Sequence, residues 1–114
     1  MKLNGEAFDH AKRLVGDGKY VLDDRDDWSE HQPSTDDENE YLEKHGFEAY
    51  SLWYLGVDPD QDPATKAHYK FPYGDFTRVH RCGLLAAETR AAQRKYTDIK
   101  KAAHHLHEML DELQ

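Results

Sequence analysis

Three of the chain's eight histidines, His104, His105 and His107, lie within four consecutive positions. If that stretch is helical, His104, His107 and Glu108 share a face, because side chains three and four apart are neighbours. Two imidazoles and a carboxylate at that spacing suit zinc or nickel. The order differs from HExxH, where the glutamate lies between the two histidines, and no fourth ligand is visible. His104, His107 and Glu108 are therefore metal-ligand candidates only, and an ordinary exposed helix face is the default. A pH-sensing face is a further alternative.

Cys82 follows His80 by two residues, and Asp75 lies upstream. A cysteine nucleophile needs a base in hydrogen-bond reach and a third group to orient it. Sequence spacing supplies neither, so a Cys82 packed at a helix start is the plainer expectation. The run Asp23, Asp24, Asp26 and Asp27 lacks the central glycine and distal glutamate of a calcium loop. No GxGxxG, GxxxxGK[ST] or GxSxG pattern occurs, which removes the usual phosphate loops and the nucleophile elbow. The expectation is no catalytic residue, no cofactor and no enzyme.

A second set of side chains suits recognition. Lys70, Arg78, Arg81, Arg90 and Arg94 accompany the aromatics Tyr69, Phe71, Tyr73 and Phe76. Arginines among aromatic rings can bind an acidic peptide or a single-stranded nucleic acid. The partner-binding candidates are Lys70, Tyr73, Arg78, Arg81, Arg90 and Arg94. Salt bridges to the acidic N-terminal part are the alternative use of these cations.

These side chains need elements to hold them. Residues 4–16 predict a first helix, with Asn4 as N-cap and Ala7, Phe8, Ala11, Leu14 and Val15 on one face. Residues 23–33 predict a flexible acidic loop, anchored only by Trp28 and closed by Pro33. Ser34 or Thr35 caps a second helix that Gly46 ends, and residues 47–55 predict a short third one. After the turn-rich 56–63, residues 67–80 predict a small extended segment that could fold as a hairpin about Tyr73–Phe76. Two helices, 81–96 and 98–113, follow. Their apolar positions, Leu84, Leu85, Ala87 and Ala91 facing the stripe Ile99, Ala102, Ala103, Leu106, Met109 or Leu110, and Leu113, predict an antiparallel helical hairpin. The fold expected is a single, mainly α domain over 1–114, with four or five short helices.

Composition supports this and adds a charge pattern. Leu, Ile, Val and Phe make up only 20 of 114 residues, a lean core offset by 13 aromatics. Leucine and alanine far outnumber valine and isoleucine, which favours helix. The net charge is −8, but residues 1–60 carry 6 basic and 16 acidic side chains, whereas 64–101 carry 9 basic and 3 acidic. An overall acidic chain repels a polyanion at long range, which weighs against free DNA. One cysteine allows no internal disulfide and fits a reducing compartment. The N-terminus shows no signal-peptide core and no run spans a bilayer, so a cytoplasmic protein without membrane partner is expected.

Lys70-Phe71-Pro72-Tyr73-Gly74-Asp75, then His80-Arg81 entering the Ala-rich stretch Gly83–Gln93, then a second helix from Asp98 to Leu113, resemble a small family of bacterial and phage-associated proteins. The resemblance covers about the last 47 residues and implies the helical hairpin and a phage-related setting. It brings no established activity. The function expected is thus a non-enzymatic interaction or structural accessory domain that binds a protein partner or itself. Nucleic-acid binding through the basic-aromatic surface and histidine-based metal binding are the alternatives.

Overall fold

The computed structural model describes residues 1–113. Five α-helices dominate: α1 (Gly5–Gly16), the single turn α2 (Trp28–His31), α3 (Thr35–Ser51), α4 (Arg81–Gln93) and α5 (Thr97–Glu112). Five short strands accompany them: β1 (Lys2–Leu3), β2 (Tyr20–Val21), β3 (Tyr54–Val57), β4 (Tyr69–Pro72) and β5 (Val79–His80). The mainly α expectation holds.

The α4–α5 pair forms as the apolar spacing predicts. Ile99, Ala102, Ala103, Leu106 and Leu110 are buried on α5, and Leu84, Leu85, Ala87 and Ala91 on α4. Small residues on α4 let the two backbones approach. The connection between them is a Schellman cap. Lys95 N–H donates to Ala92 O at 3.2 Å and Tyr96 N–H to Ala91 O at 2.9 Å. Lys95 itself sits at φ +62°, a left-handed conformation that disfavours any residue with a Cβ. Leu113, expected at the end of the stripe, is 53% exposed instead, because α5 ends at Glu112 and Leu113 is its C-cap.

Helix α3 begins on a capping box. Asp37 N–H donates to Ser34 Oγ, and Ser34 N–H donates back to Asp37 Oδ2, each at 3.1 Å. Gly46, at φ +79° and ψ 174°, breaks its helical path where the sequence predicts a stop. The third helix ends sooner than expected: residues 47–51 are helical, but Trp53 leads into β3. Burial on both faces of that strand explains the change, since Tyr54 and Leu55 are both buried. Asn4 precedes α1 as expected, but its side chain does not cap. Its Nδ2 donates instead to Ser51 O (2.9 Å) and Tyr54 O (3.1 Å), fastening the helix start to the end of α3 and to β3.

The extended segment 67–80 does not close into a regular hairpin. β3 lies between β1 and β4, antiparallel to both, with Leu3 opposite Gly56 and Gly56 opposite Lys70. β5 pairs instead in parallel with β2, Tyr20 against Val79 and Val21 against His80. Only one bridge, Gly74 to Val79, spans the turn. Phe71, at φ +63°, bends β4 near its end, and Pro72, opposite Tyr54 and without an N–H to donate, is its last residue. The acidic stretch 23–33 is also more ordered than a plain loop: a 3₁₀ turn at Arg25–Asp27 runs into α2.

Leu106 is fully buried in the core, so Leu106→Ala should cost about 3 kcal/mol in urea denaturation, whereas Leu113→Ala should change stability by less than about 0.5 kcal/mol. Lys95→Gly should stabilise by up to about 1 kcal/mol, the left-handed penalty less the freer unfolded chain.

Candidate functional site

Three side-chain groupings could do more than hold the fold. The most buried centres on Asp23, which follows β2 and is 8% exposed. Its Oδ1 accepts from the Cys82 backbone N–H at 2.8 Å. Its Oδ2 lies 2.7 Å from Nδ1 of His31, on α2, and 2.7 Å from Nδ1 of His80, at the end of β5. The other His80 nitrogen, Nε2, lies 2.7 Å from Asp75 Oδ2. Asp75 is itself fixed, because its Oδ1 accepts from the backbone N–H of Thr77 (2.9 Å) and Arg78 (2.7 Å). Trp28 covers the His80 ring, with centroids 6.1 Å apart.

The charges follow from these contacts. Burial opposes ionisation of Asp75, yet the His80 hydrogen bond and two backbone N–H groups hold its carboxyl down at about 2. Asp23 is depressed as well: burial opposes, and the bonds from Cys82, His80 and His31 prevail. His80 is raised for the complementary reason, since burial is outweighed by its two carboxylates. Burial and the adjoining Asp23 carboxylate push the Cys82 thiol up, which makes it a poor nucleophile. His80, Cys82 and Asp75 do come together, but Asp75 and Asp23 clamp the ring while the thiol stays protonated.

The second grouping bridges α4 and α5. Glu88 Oε1 lies 2.8 Å from His104 Nδ1, and its Oε2 lies 2.8 Å from His107 Nε2. Those two nitrogens are 3.2 Å apart. One donor atom each of Glu88, His104 and His107 lies within 4.8 Å of the other two, close enough for one metal ion to draw all three together. The outer nitrogens also meet carboxylates: His104 Nε2 meets Glu108, and His107 Nδ1 lies 3.4 Å from Asp111 Oδ2. Arg81 Nε donates to Asp111 Oδ1 at 2.8 Å. His104 and His107 thus share a face as the spacing predicts, but Glu108 backs a ring from outside. The carboxylate between the rings is Glu88, which local spacing on one helix could not supply. The hairpin register was its only signal.

The third grouping is a cleft of about 530 Å³ beside β4. Lys70, Arg90 and Arg94 line it with Tyr69, Phe71 and Tyr96, and Lys66, Glu38 and Asp58 join them. Lys66 pairs with Glu38 at 3.2 Å. At the cleft's deeper side the hydroxyls of Tyr50 and Tyr54 are 2.8 Å apart, and Tyr54 also meets Glu38 Oε2 at 3.1 Å. Burial pushes Tyr50 up to about 12. Three of the six recognition candidates therefore meet. The others are engaged elsewhere: Tyr73 is fully buried and donates to Leu52 O at 2.6 Å, Arg78 pairs with Asp75 at 3.8 Å, and Arg81 holds Asp111.

Protein-family models, curated proteins and solved structures were compared with the chain, and none matches. Among the described residues, no helix is long and apolar enough to cross a membrane.

Asp75→Asn removes a charged acceptor from His80, and should destabilise the chain by about 2 kcal/mol at pH 7 in chelator-containing buffer. A depressed carboxyl stabilises above its unfolded pKa of 3.8 and loses that contribution as pH falls through about 2. Urea titrations should therefore show the variant's deficit shrinking between those two values.

Proposed function

We propose that this chain is a non-enzymatic binding domain that receives an acidic segment of a protein partner in the cleft beside β4. The observation that carries this reading is the convergence of Lys70, from β4, with Arg90 and Arg94, from the end of α4, on walls made by Tyr69, Phe71 and Tyr96. Among the described residues none of these three cations has a carboxylate within ion-pair distance. Arginine forks suit carboxylates, and the rings add apolar area beside them. The excess of acidic groups over the rest of the chain disfavours a long polyanion more than a short acidic peptide.

Fluorescence anisotropy with a labelled, tyrosine-containing acidic peptide at low ionic strength tests this. Binding should weaken with added salt, and Arg90→Ala/Arg94→Ala should lower affinity at least about tenfold, the loss of one charge-assisted contact or more. Absence of binding, or equal affinity in the double variant, would refute it. Tighter binding to single-stranded DNA or RNA, lost in the same variant, would transfer the cleft to nucleic acid.

The position of Glu88 favours a second reading, a surface site for zinc or nickel on Glu88, His104 and His107, with Glu108 and Asp111 orienting the rings. Calorimetric titration with nickel should show one fewer site in His104→Ala/His107→Ala than in the unaltered protein.

A further inference from the structure

The segment between β2 and α3 has little apolar material to hold it. Neither the 3₁₀ turn Arg25–Asp27 nor α2 contains a buried residue. Trp28 rests on His80 and Gly83, Arg25 donates to Thr89 Oγ1 at 3.1 Å, and the most buried attachment is that of Asp23, which with His31 meets His80 and Cys82. We propose that Asp23, His31, His80 and Cys82 form a zinc site that clamps this segment onto β5 and the start of α4.

Four donors come from two stretches of chain, 23–31 and 80–82: one ligand atom each of Asp23, His31, His80 and Cys82 lies within 4.8 Å of the other three. Tetrahedral zinc with bonds of about 2.0–2.3 Å places its donors about 3.3–3.7 Å apart. The observed spacings lie on either side of that range. Asp23 Oδ2 is 2.7 Å from each imidazole nitrogen, and Cys82 Sγ is 4.0 Å from His31 Nδ1. A small withdrawal of the carboxylate oxygen and an advance of the sulfur bring the four onto one sphere. One thiolate, two imidazoles and one carboxylate make a closed ligand set of the structural kind, with no position left for water or substrate.

The surroundings are those of a metal-bound histidine. Asp75 accepts from His80 on the nitrogen turned away from the other donors, and two backbone N–H groups fix Asp75 in turn. Such an outer carboxylate sets the ring's tautomer and increases its basicity as a ligand. Asp23 Oδ1 is held by the Cys82 N–H, which leaves Oδ2 to point at the rings. Three of the four ligands are buried, and Trp28 lies over His80. Only His31 reaches solvent, its side chain 36% exposed, so an ion can enter on that side. On binding, the ion displaces the Cys82 thiol proton and the Nδ1 proton of His80, which keeps its Nε2–H on Asp75, while His31 binds through Nδ1 as the neutral ring with its proton on Nε2. A cation here also reverses the local field that otherwise favours the thiol form.

This site is separate from the Glu88 pair and from the cleft, so its test begins in a variant lacking the surface histidines. Untagged, full-length His104→Ala/His107→Ala protein, purified without chelator, should contain one zinc per chain by elemental analysis. Cobalt substituted for that zinc should give a thiolate-to-metal absorption band together with tetrahedral ligand-field bands. Adding Cys82→Ser should remove the thiolate band and weaken zinc binding at least tenfold. Adding His31→Ala, at the exposed rim where folding is least threatened, should also weaken it at least tenfold, with the far-ultraviolet circular dichroism of α4 and α5 retained. Proteolysis within 24–33 should quicken when zinc is withdrawn. No zinc in the surface-histidine variant even after addition of excess metal, a cobalt complex without the thiolate band, or unchanged affinity in His31→Ala would each overturn the proposal.

Discussion

The Asp23 carboxylate is where distant parts of the chain are joined. It touches α2 through His31, β5 through His80 and the first turn of α4 through the Cys82 backbone. A buried carboxylate is costly unless its lone pairs are used. Here the partners are placed so that its two oxygens are both engaged. β2 and β5 must run side by side for that to happen, because their pairing brings residue 23 to residues 80–82. The turn at Asp75 must also close, because it supports the far side of His80. The tight packing of Gly83, where a Cβ would meet Tyr73 O at 2.8 Å and the Trp28 ring at 2.9 Å, leaves the start of α4 no room to withdraw.

What the residues disclosed in advance was mostly local. Apolar spacing on α1, α4 and α5, the Ser34 cap and the Gly46 break all depend on neighbours within a turn or two, and each was legible. The pairing of short strands was not. A two-residue strand such as Tyr20–Val21 carries no periodicity, and nothing nearby announces that its partner is Val79–His80. The same limit applied to the sites. His104 and His107 were visible as a pair because a helix places them together, whereas Glu88 enters through the hairpin register. Cys82, His80 and Asp75 were visible as neighbours, but Asp23 read as one member of an acidic run. Its difference from Asp24 and Asp26 is burial, which is a property of the assembled fold.

The recognition candidates divide for a related reason. Lys70, Arg90 and Arg94 remain available in one cleft, while Arg78 and Arg81 are consumed by Asp75 and Asp111. Those two ion pairs brace the carboxylates behind His80 and His107. Basic residues of similar appearance in the sequence therefore have unlike duties: some face outward toward ligands, and others steady the acids that steady the histidines. Tyr73 marks the same division among the aromatics, since its ring is core and its hydroxyl serves the Leu52 carbonyl.

The strand registers also imply an order of assembly. Helices α4 and α5 meet through a three-residue connection, so their contacts close quickly, whereas pairing Lys2 with Val57 and Tyr20 with Val79 closes loops of more than fifty positions. The C-terminal hairpin can thus exist as a nucleus while the N-terminal half is still searching. A nascent chain emerging from the ribosome could pair Tyr54–Val57 with its two strand neighbours early, but α1 and that small sheet would lack the cover of α5 until the last third appeared. The heavy negative charge of the early residues then has a use apart from any ligand: it keeps waiting chains apart.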